Sequence, residues 1–89
     1  MPVSSQIVFW LNGSRIISTN RRVYDDKRRV SVEGHGNTYN LMVRHVQQWD
    51  DGEYSCQVPG PHAIVQTSRV IVSRTSQPAE LLSRPHCIT

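Results

Sequence analysis

The chain has 89 residues, 37% of them hydrophobic, so it is long enough for one small domain and too short for two. It contains no apolar run of the ~18 residues that cross a bilayer, and its first residues lack the basic and apolar regions of a secretory signal. The net charge is +3, and two aspartates partly neutralise the one dense basic stretch, residues 21–29. Because this stretch also lacks the repeated aromatic residues of a single-strand binder, we expect no nucleic-acid partner.

Apolar and polar residues alternate with a period of two, which predicts β-strands. The alternation is clearest where Leu41 and Val43 share one face, and the dipeptide Asn12-Gly13 is typical of a tight hairpin turn. The predicted strands cover residues 6–11, 15–18, 28–33, 38–45, 53–58 and 65–74. Short strands separated by turns, without a helix, predict an all-β sandwich or barrel.

Residues 41–56 follow the pattern L-x-V-x-x-V-x-x-x-D-x-G-x-Y-x-C, in which Tyr54 precedes Cys56 by two positions. This pattern resembles strand E, the E–F corner and strand F of an immunoglobulin domain. In that family the tyrosine hydroxyl binds the corner backbone, and Gly52 permits the sharp entry into the strand. The resemblance therefore implies an immunoglobulin-like β-sandwich.

The resemblance also assigns core and charged residues. It implies that the strand C tryptophan and the apolar residues of strands E and F form the core: Trp10, Leu41, Val43, Tyr54 and Cys56. It further implies a salt bridge between the first corner aspartate, Asp50, and an arginine at the start of strand D, for which Arg29 is the candidate and Arg28 the neighbouring alternative.

The sequence departs from the family before strand C. Only nine residues precede Trp10 and none is cysteine, so strands A and B and the strand B cysteine are expected to be missing. We therefore expect an incomplete domain with strands C to G, over residues 1–74 of a fragment, followed by a linker or disordered tail at 75–89. Cys56 and Cys87 are expected to be unpaired thiols, since a bridge between them requires the tail to fold back.

Finer motifs point to a class of function. The runs W-L-N-x-S from Trp10 and T-S-R-V from Thr67 resemble the first domain of the lachesin, IgLON and Dpr/DIP neuronal adhesion proteins. That resemblance implies a cell-surface recognition module whose partner is another immunoglobulin-superfamily protein, either itself or a relative. The alternative is a structural module of a large intracellular muscle-type protein, in which such domains commonly lack the disulfide.

Strand C has apolar residues on both faces. If Val8 and Trp10 point into the sandwich, their neighbours point outward and must be covered by a partner, by the tail or by a swapped strand. In the resembled family the sheet of strands C, C′, F and G meets the partner, so the expected interface residues are Ile7, Phe9, Leu11, Ile17, Gln57 and Arg69. Asn12-Gly13-Ser14 is in addition a sequon for N-glycosylation of Asn12.

No pattern of the sequence supports catalysis or cofactor binding. The four histidines are separated by 10, 17 and 24 residues, which fits no compact metal motif. No nucleophile elbow or acid–base carboxylate pair is present. We therefore expect no enzyme activity, no cofactor, no metal and no small-molecule substrate.

Overall fold

A computed structural model describes residues 6–73, 81 and 84–89. Seven β-strands form within these residues, together with one short 3-10 turn at Gln48–Asp50. The strands are β1 Phe9–Asn12, β2 Arg15–Thr19, β3 Arg22–Val23, β4 Val30–Glu33, β5 Asn40–Val43, β6 Gly52–Val58 and β7 Ile64–Val70. This part of the chain contains no helix with the length and apolar character needed to cross a membrane.

The strands build two antiparallel sheets. One has five strands in the order β3-β2-β1-β6-β7, and the other pairs β4 with β5. With β1 as strand C of an immunoglobulin-like sandwich, the orders are C″-C′-C-F-G and D-E, as in variable-type domains. The prediction of an all-β, immunoglobulin-like sandwich is confirmed.

Observed and predicted strands differ mainly at their ends. β1 begins at Phe9 rather than at residue 6, because Val8 bonds to Asn20 and takes no part in the strand pairing. The Val8 N–H donates to the Asn20 side-chain oxygen at 3.0 Å, and the Val8 carbonyl accepts from the Asn20 N–H at 2.7 Å. β5 ends at Val43 rather than at residue 45, because His45 turns the chain with a left-handed φ of 50°. β3 has two residues, too few to produce an alternation signal.

The core lies between the sheets around Trp10, whose side chain is fully buried. Trp10 is directly opposite Cys56 in the register of β1 and β6. Its indole N–H donates a 2.8 Å hydrogen bond to the carbonyl of Tyr39, which ties the five-stranded sheet to the start of β5. Of the expected core residues, Leu41, Tyr54 and Cys56 are also buried and Val43 is half-buried against them; the other buried apolar residues of this cluster are Val8, Ile17, Val23, Val30, Val58, Val70 and Cys87.

The C-terminal residues 84–89 form a strand-like segment beside β5, on the edge opposite β4. The N–H of Tyr39 donates to the carbonyl of Cys87 at 2.7 Å, and that of Leu41 to the carbonyl of Pro85 at 3.1 Å. Pro85 and Cys87 are buried while residues 84, 86 and 88 are exposed, which is the alternation of a half-buried strand. Because sheets of this family have the order A-B-E-D, this edge, formed by residues 37–41, is the strand B position.

Cys56 and Cys87 form a disulfide with a Cα–Cα distance of 6.1 Å. The expectation of two unpaired thiols is therefore wrong, and a bridge joins the two sheets although no cysteine precedes β1. The tail does not behave as a linker at residues 84–89; residues 74–80 and 82–83 lie outside the described residues. Among residues 6–73 no strand precedes β1, and the C-terminal segment takes the strand B position instead.

Replacing Cys87 with Ser should lower the free energy of unfolding by about 3 to 4 kcal/mol, because the bridge spans 31 residues of chain. Urea denaturation of Cys56→Ser, Cys87→Ser and the double variant measures this. The double variant should cost no more than either single one, since all three lose one bridge. Wild-type stability of Cys87→Ser would contradict the disulfide.

Candidate protein-interaction face

The residues of β1 and the two before it, Ile7 and Val8, alternate between the core and the opposite side of the five-stranded sheet. Val8 and Trp10 are fully buried in the sandwich, whereas Ile7 is 41% exposed and Phe9 and Leu11 are half-exposed. Both faces of β1 are therefore apolar, as the sequence predicts. The side of this sheet that faces away from the core is called the outer face below.

Two cross-strand rows of side chains make up the centre of the outer face. Residues directly opposite each other in antiparallel strands point to the same side of a sheet. The first row runs through Thr19, Phe9, Gln57 and Val65 across β2, β1, β6 and β7. The second row runs through Ile16, Leu11, Ser55 and Thr67.

The outer face concentrates exposed apolar side chains. Ile16 is 47% exposed opposite Leu11 of β1, and Val65 is 63% exposed on β7, opposite Gln57 at the end of the first row. Tyr24 is 55% exposed beside this sheet, where a 3.1 Å hydrogen bond joins its hydroxyl to that of Thr19 and the Arg22 guanidinium lies 5.9 Å from its ring. Clustered apolar exposure of this kind is characteristic of a contact surface.

Ile17 does not lie on the outer face. It is 2% exposed and belongs to the core, so its assignment to the interface is wrong. The register of β1 and β2 shifts between Trp10 and Leu11, leaving Ile17 without an opposite residue, and this irregularity turns it inward. Its neighbour Ile16 is the residue of β2 that pairs with Leu11 and faces outward.

Of the other expected interface residues, Ile7 precedes β1, and the rest lie on strands of this sheet: Phe9, Leu11, Gln57 and Arg69. Gln57 is half-buried beside Phe9, and its amide donates a 3.2 Å hydrogen bond to the hydroxyl of Ser55. Arg69 is exposed at the far end of β7, opposite Glu53 of β6. Polar groups therefore border the apolar centre, as in the rims of protein interfaces.

A salt bridge lies at one end of the sandwich, between Arg29 before β4 and the turn before β6. The Arg29 guanidinium binds both carboxylate oxygens of Asp50, at 2.9 and 3.0 Å, and also reaches Asp26 at 3.1 Å. Asp50 in addition accepts a 2.7 Å hydrogen bond from the N–H of Gln47, which fixes the turn before β6. Hydrogen bonding to Asp50 raises the pKa of Arg29 above its ordinary value, so the guanidinium stays charged.

Tyr54 forms the corner that the motif predicts. Its hydroxyl donates a 2.6 Å hydrogen bond to the carbonyl of Asp50, and Gly52 between them has a φ of 141° that other residues rarely adopt. Burial raises the pKa of the Tyr54 hydroxyl above its ordinary value, and the negative charge of Asp50 adds to this. Together with the salt bridge, the corner sets the direction in which β6 enters the sheet.

Comparison with known families assigns this arrangement. The family model described as immunoglobulin domain matches residues 2–69. The chain belongs to the immunoglobulin domain family. Comparisons with curated proteins and with solved structures returned no significant match. Immunoglobulin domains are typically non-enzymatic modules that mediate protein–protein interaction.

The β1–β2 turn of this immunoglobulin domain carries the sequon. Gly13 and Ser14 are the turn residues, and Gly13 has a φ of 63°, which glycine adopts without a steric penalty. Both are exposed, whereas Asn12 is half-buried at the end of β1. N-glycosylation of Asn12 remains a prediction.

Two further features of the described residues concern ligand binding: the grouping of possible metal ligands and a cavity. No three histidine, cysteine, aspartate or glutamate side chains among them are grouped so that they could hold a metal ion. A cavity of about 70 Å³ lies between the sheets under the salt bridge, where Ile17, Leu41 and Tyr54 line it and Trp49 borders it. This cavity faces the core side of the five-stranded sheet, so it is separate from the outer face.

Replacing Asp50 with Ala should lower the free energy of unfolding by about 3 to 5 kcal/mol, because it leaves the largely buried Arg29 without its main partner. Asp26→Ala is the matched control, since it removes the more exposed carboxylate from the same guanidinium and should cost under about 1 kcal/mol. Equal denaturant midpoints for the two variants would show that the Asp50–Arg29 pair stabilises the domain no more than the Asp26–Arg29 pair does.

The Tyr54 hydroxyl makes the stability depend on alkaline pH. Because its pKa in the folded state lies above the ordinary value of 10.0, its contribution is complete below pH 10.0 and is lost as the pH rises through the raised value. Melting temperatures measured in steps above pH 9 should fall more steeply for the wild type than for Tyr54→Phe. Parallel curves would rule out this contribution.

Proposed function

We propose that this immunoglobulin domain is a cell-surface recognition module that binds another immunoglobulin-superfamily protein, itself or a relative, through its outer face. The observation that carries the proposal is the arrangement of β1, whose two faces are both apolar while the sandwich covers only one of them. Uncovered apolar rows on a sheet lose contact with water when a second sheet packs on them, and this burial drives association.

The composition of the face suits protein recognition. Phe9 stands at its centre, next to Leu11 along β1 and opposite Gln57 across the sheet. Aromatic residues surrounded by partly buried neighbours carry much of the binding energy in protein interfaces, while polar rims contribute orientation and specificity. Phe9 is therefore the expected anchor, with Ile7, Ile16 and Val65 around it.

The resemblance to the lachesin, IgLON and Dpr/DIP proteins supports neuronal adhesion as the setting. Its motifs fall on the outer-face strands: W-L-N-x-S covers β1 and the following turn, and T-S-R-V lies in β7. In those proteins the same sheet meets a partner, so the position of the motifs agrees with the proposed contact.

The disulfide favours an extracellular location in the parent protein. Disulfides form and persist in oxidising compartments and are rare in reducing ones, so Cys56–Cys87 supports the cell surface over the muscle-type intracellular alternative. A glycan on Asn12 would fit the same compartment, since N-glycosylation occurs on secreted chains.

The test replaces the anchor. Phe9→Asp should weaken binding by ~2 kcal/mol or more, roughly 30-fold in Kd, with little change in melting temperature, because the side chain points away from the core. The probes are a second copy of the chain, followed by sedimentation, and a panel of immobilised immunoglobulin-family ectodomains. Trp49→Asp is the matched control, because Trp49 is 74% exposed but lies in the turn before β6, away from the face.

Two binding results would contradict the proposal, and a stability result would contradict the assigned strand register. If Phe9→Asp and Trp49→Asp weaken binding equally, the outer face is not the contact surface. If the wild type binds neither itself nor any member of the panel, the domain has no recognition role of this kind. Unfolding of Phe9→Asp would instead place Phe9 in the core and refute the register.

A further inference from the structure

We propose that the strand B position is an exchangeable site, which accepts residues 84–89 from a second copy of the chain and so permits a reciprocal, disulfide-linked dimer. The recognised ligand is an extended segment with an inward proline and an inward cysteine two residues later. In the structure the chain's own C-terminal segment fills this position.

The contacts of the segment do not depend on which copy supplies it. They include backbone hydrogen bonds to residues 37–41, a 2.8 Å hydrogen bond from the Gln66 amide to the carbonyl of Ile88, and the bridge to Cys56. Two longer hydrogen bonds of 3.4 Å join the Cys87 N–H to the Asn40 side chain and the Thr89 hydroxyl to the Asn37 carbonyl. Each of these groups belongs to the sandwich, and each would meet the same atoms of an identical segment. A reciprocal exchange therefore repeats every described contact twice and leaves no strand B position empty.

A connection of ten residues spans at most about 33 to 36 Å when extended, a reach that allows the segment to bind its own sandwich or that of an adjacent copy. Ten residues, 74–83, separate Ser73 from Arg84, and the described tie between that stretch and the sandwich is the pairing of Leu81 with Val72. A short tether of this number of residues gives the chain's own segment an effective concentration on the order of 1 mM. Binding of a second copy's segment should therefore compete with binding of the chain's own segment when the chain is oxidised at a concentration near this value. On dilution the exchanged form should become rare.

Complementary cysteine variants test the exchange. Cys56→Ser retains only the cysteine of the segment, and Cys87→Ser retains only the cysteine of the sandwich, so neither can form the bridge alone. When the two are mixed with a disulfide oxidant such as oxidised glutathione, which takes up the two electrons and two protons of the thiols and leaves as two glutathione thiols, a heterodimer joined through Cys56 and Cys87 should form. It should appear on non-reducing gels, with the cross-link identified by peptide mass spectrometry.

A pair of variants distinguishes exchange from random thiol oxidation. In the Cys56→Ser chain, Pro85→Asp changes a buried residue of the segment, whereas His86→Asp changes an exposed one at the next position. Heterodimer formation should fall at least tenfold with Pro85→Asp and stay near its original yield with His86→Asp. Equal yields would overturn the proposal, because cross-linking would then not require the segment to occupy the strand B position.

The wild-type chain provides a second measurement that does not depend on the stability of the variants. Light and isotope-labelled copies are mixed, reduced in denaturant, and refolded under oxidising conditions at about 10 µM and about 1 mM. Cross-linked peptides that combine a light Cys56 with a heavy Cys87 should be rare at the lower concentration and abundant at the higher one. Their absence at both concentrations would overturn the proposal.

Discussion

The free edge of β5 is the constraint on which the sandwich depends. β4 covers only one edge of this strand, and the backbone N–H groups of Tyr39 and Leu41 on the other edge need acceptors, since unpaired buried backbone groups are costly. Residues 84–89 supply the carbonyls, and the disulfide to β6 holds them in place across the core. Cys56 lies opposite Trp10, the largest fully buried side chain, so the bridge starts at the centre of the core.

β6 connects the disulfide-bound C-terminal segment to the other end of the sandwich. At its start Tyr54 bonds to Asp50, which in turn pairs with Arg29 beside β4, and its centre carries Cys56. A strand fixed at both points cannot slide by one residue, since a slip would turn its buried side chains outward. β1 pairs with β6 and inherits this register, which is why Phe9 faces away from the core. The interaction face is thus a consequence of packing on the opposite side of the sheet.

Sequence alone predicts most of this arrangement. Alternation and the tyrosine motif predict the sandwich, the corner and the direction of the side chains of β1, because each depends on residues near one another in the chain. It does not predict the inward turn of Ile17, which results from a shift in strand pairing that no local pattern marks. It also misses the segment 84–89, whose partner β5 lies more than forty residues earlier. The alternation of Pro85 and Cys87 is visible in the sequence, but a proline in a short polar tail resembles a linker.

The two proposed surfaces belong to different sheets, and this separation has a structural consequence. The strand B position extends the sheet of β4 and β5, whereas the outer face lies on the far side of the five-stranded sheet. Exchange of residues 84–89 between two copies would leave the pairing of β1, β2, β6 and β7 intact in both. Each copy of such a dimer would still expose Phe9 and its neighbours, so the dimer would present two recognition faces. Two linked faces bind a partner-bearing surface more tightly than one, because the second contact forms at a high effective concentration.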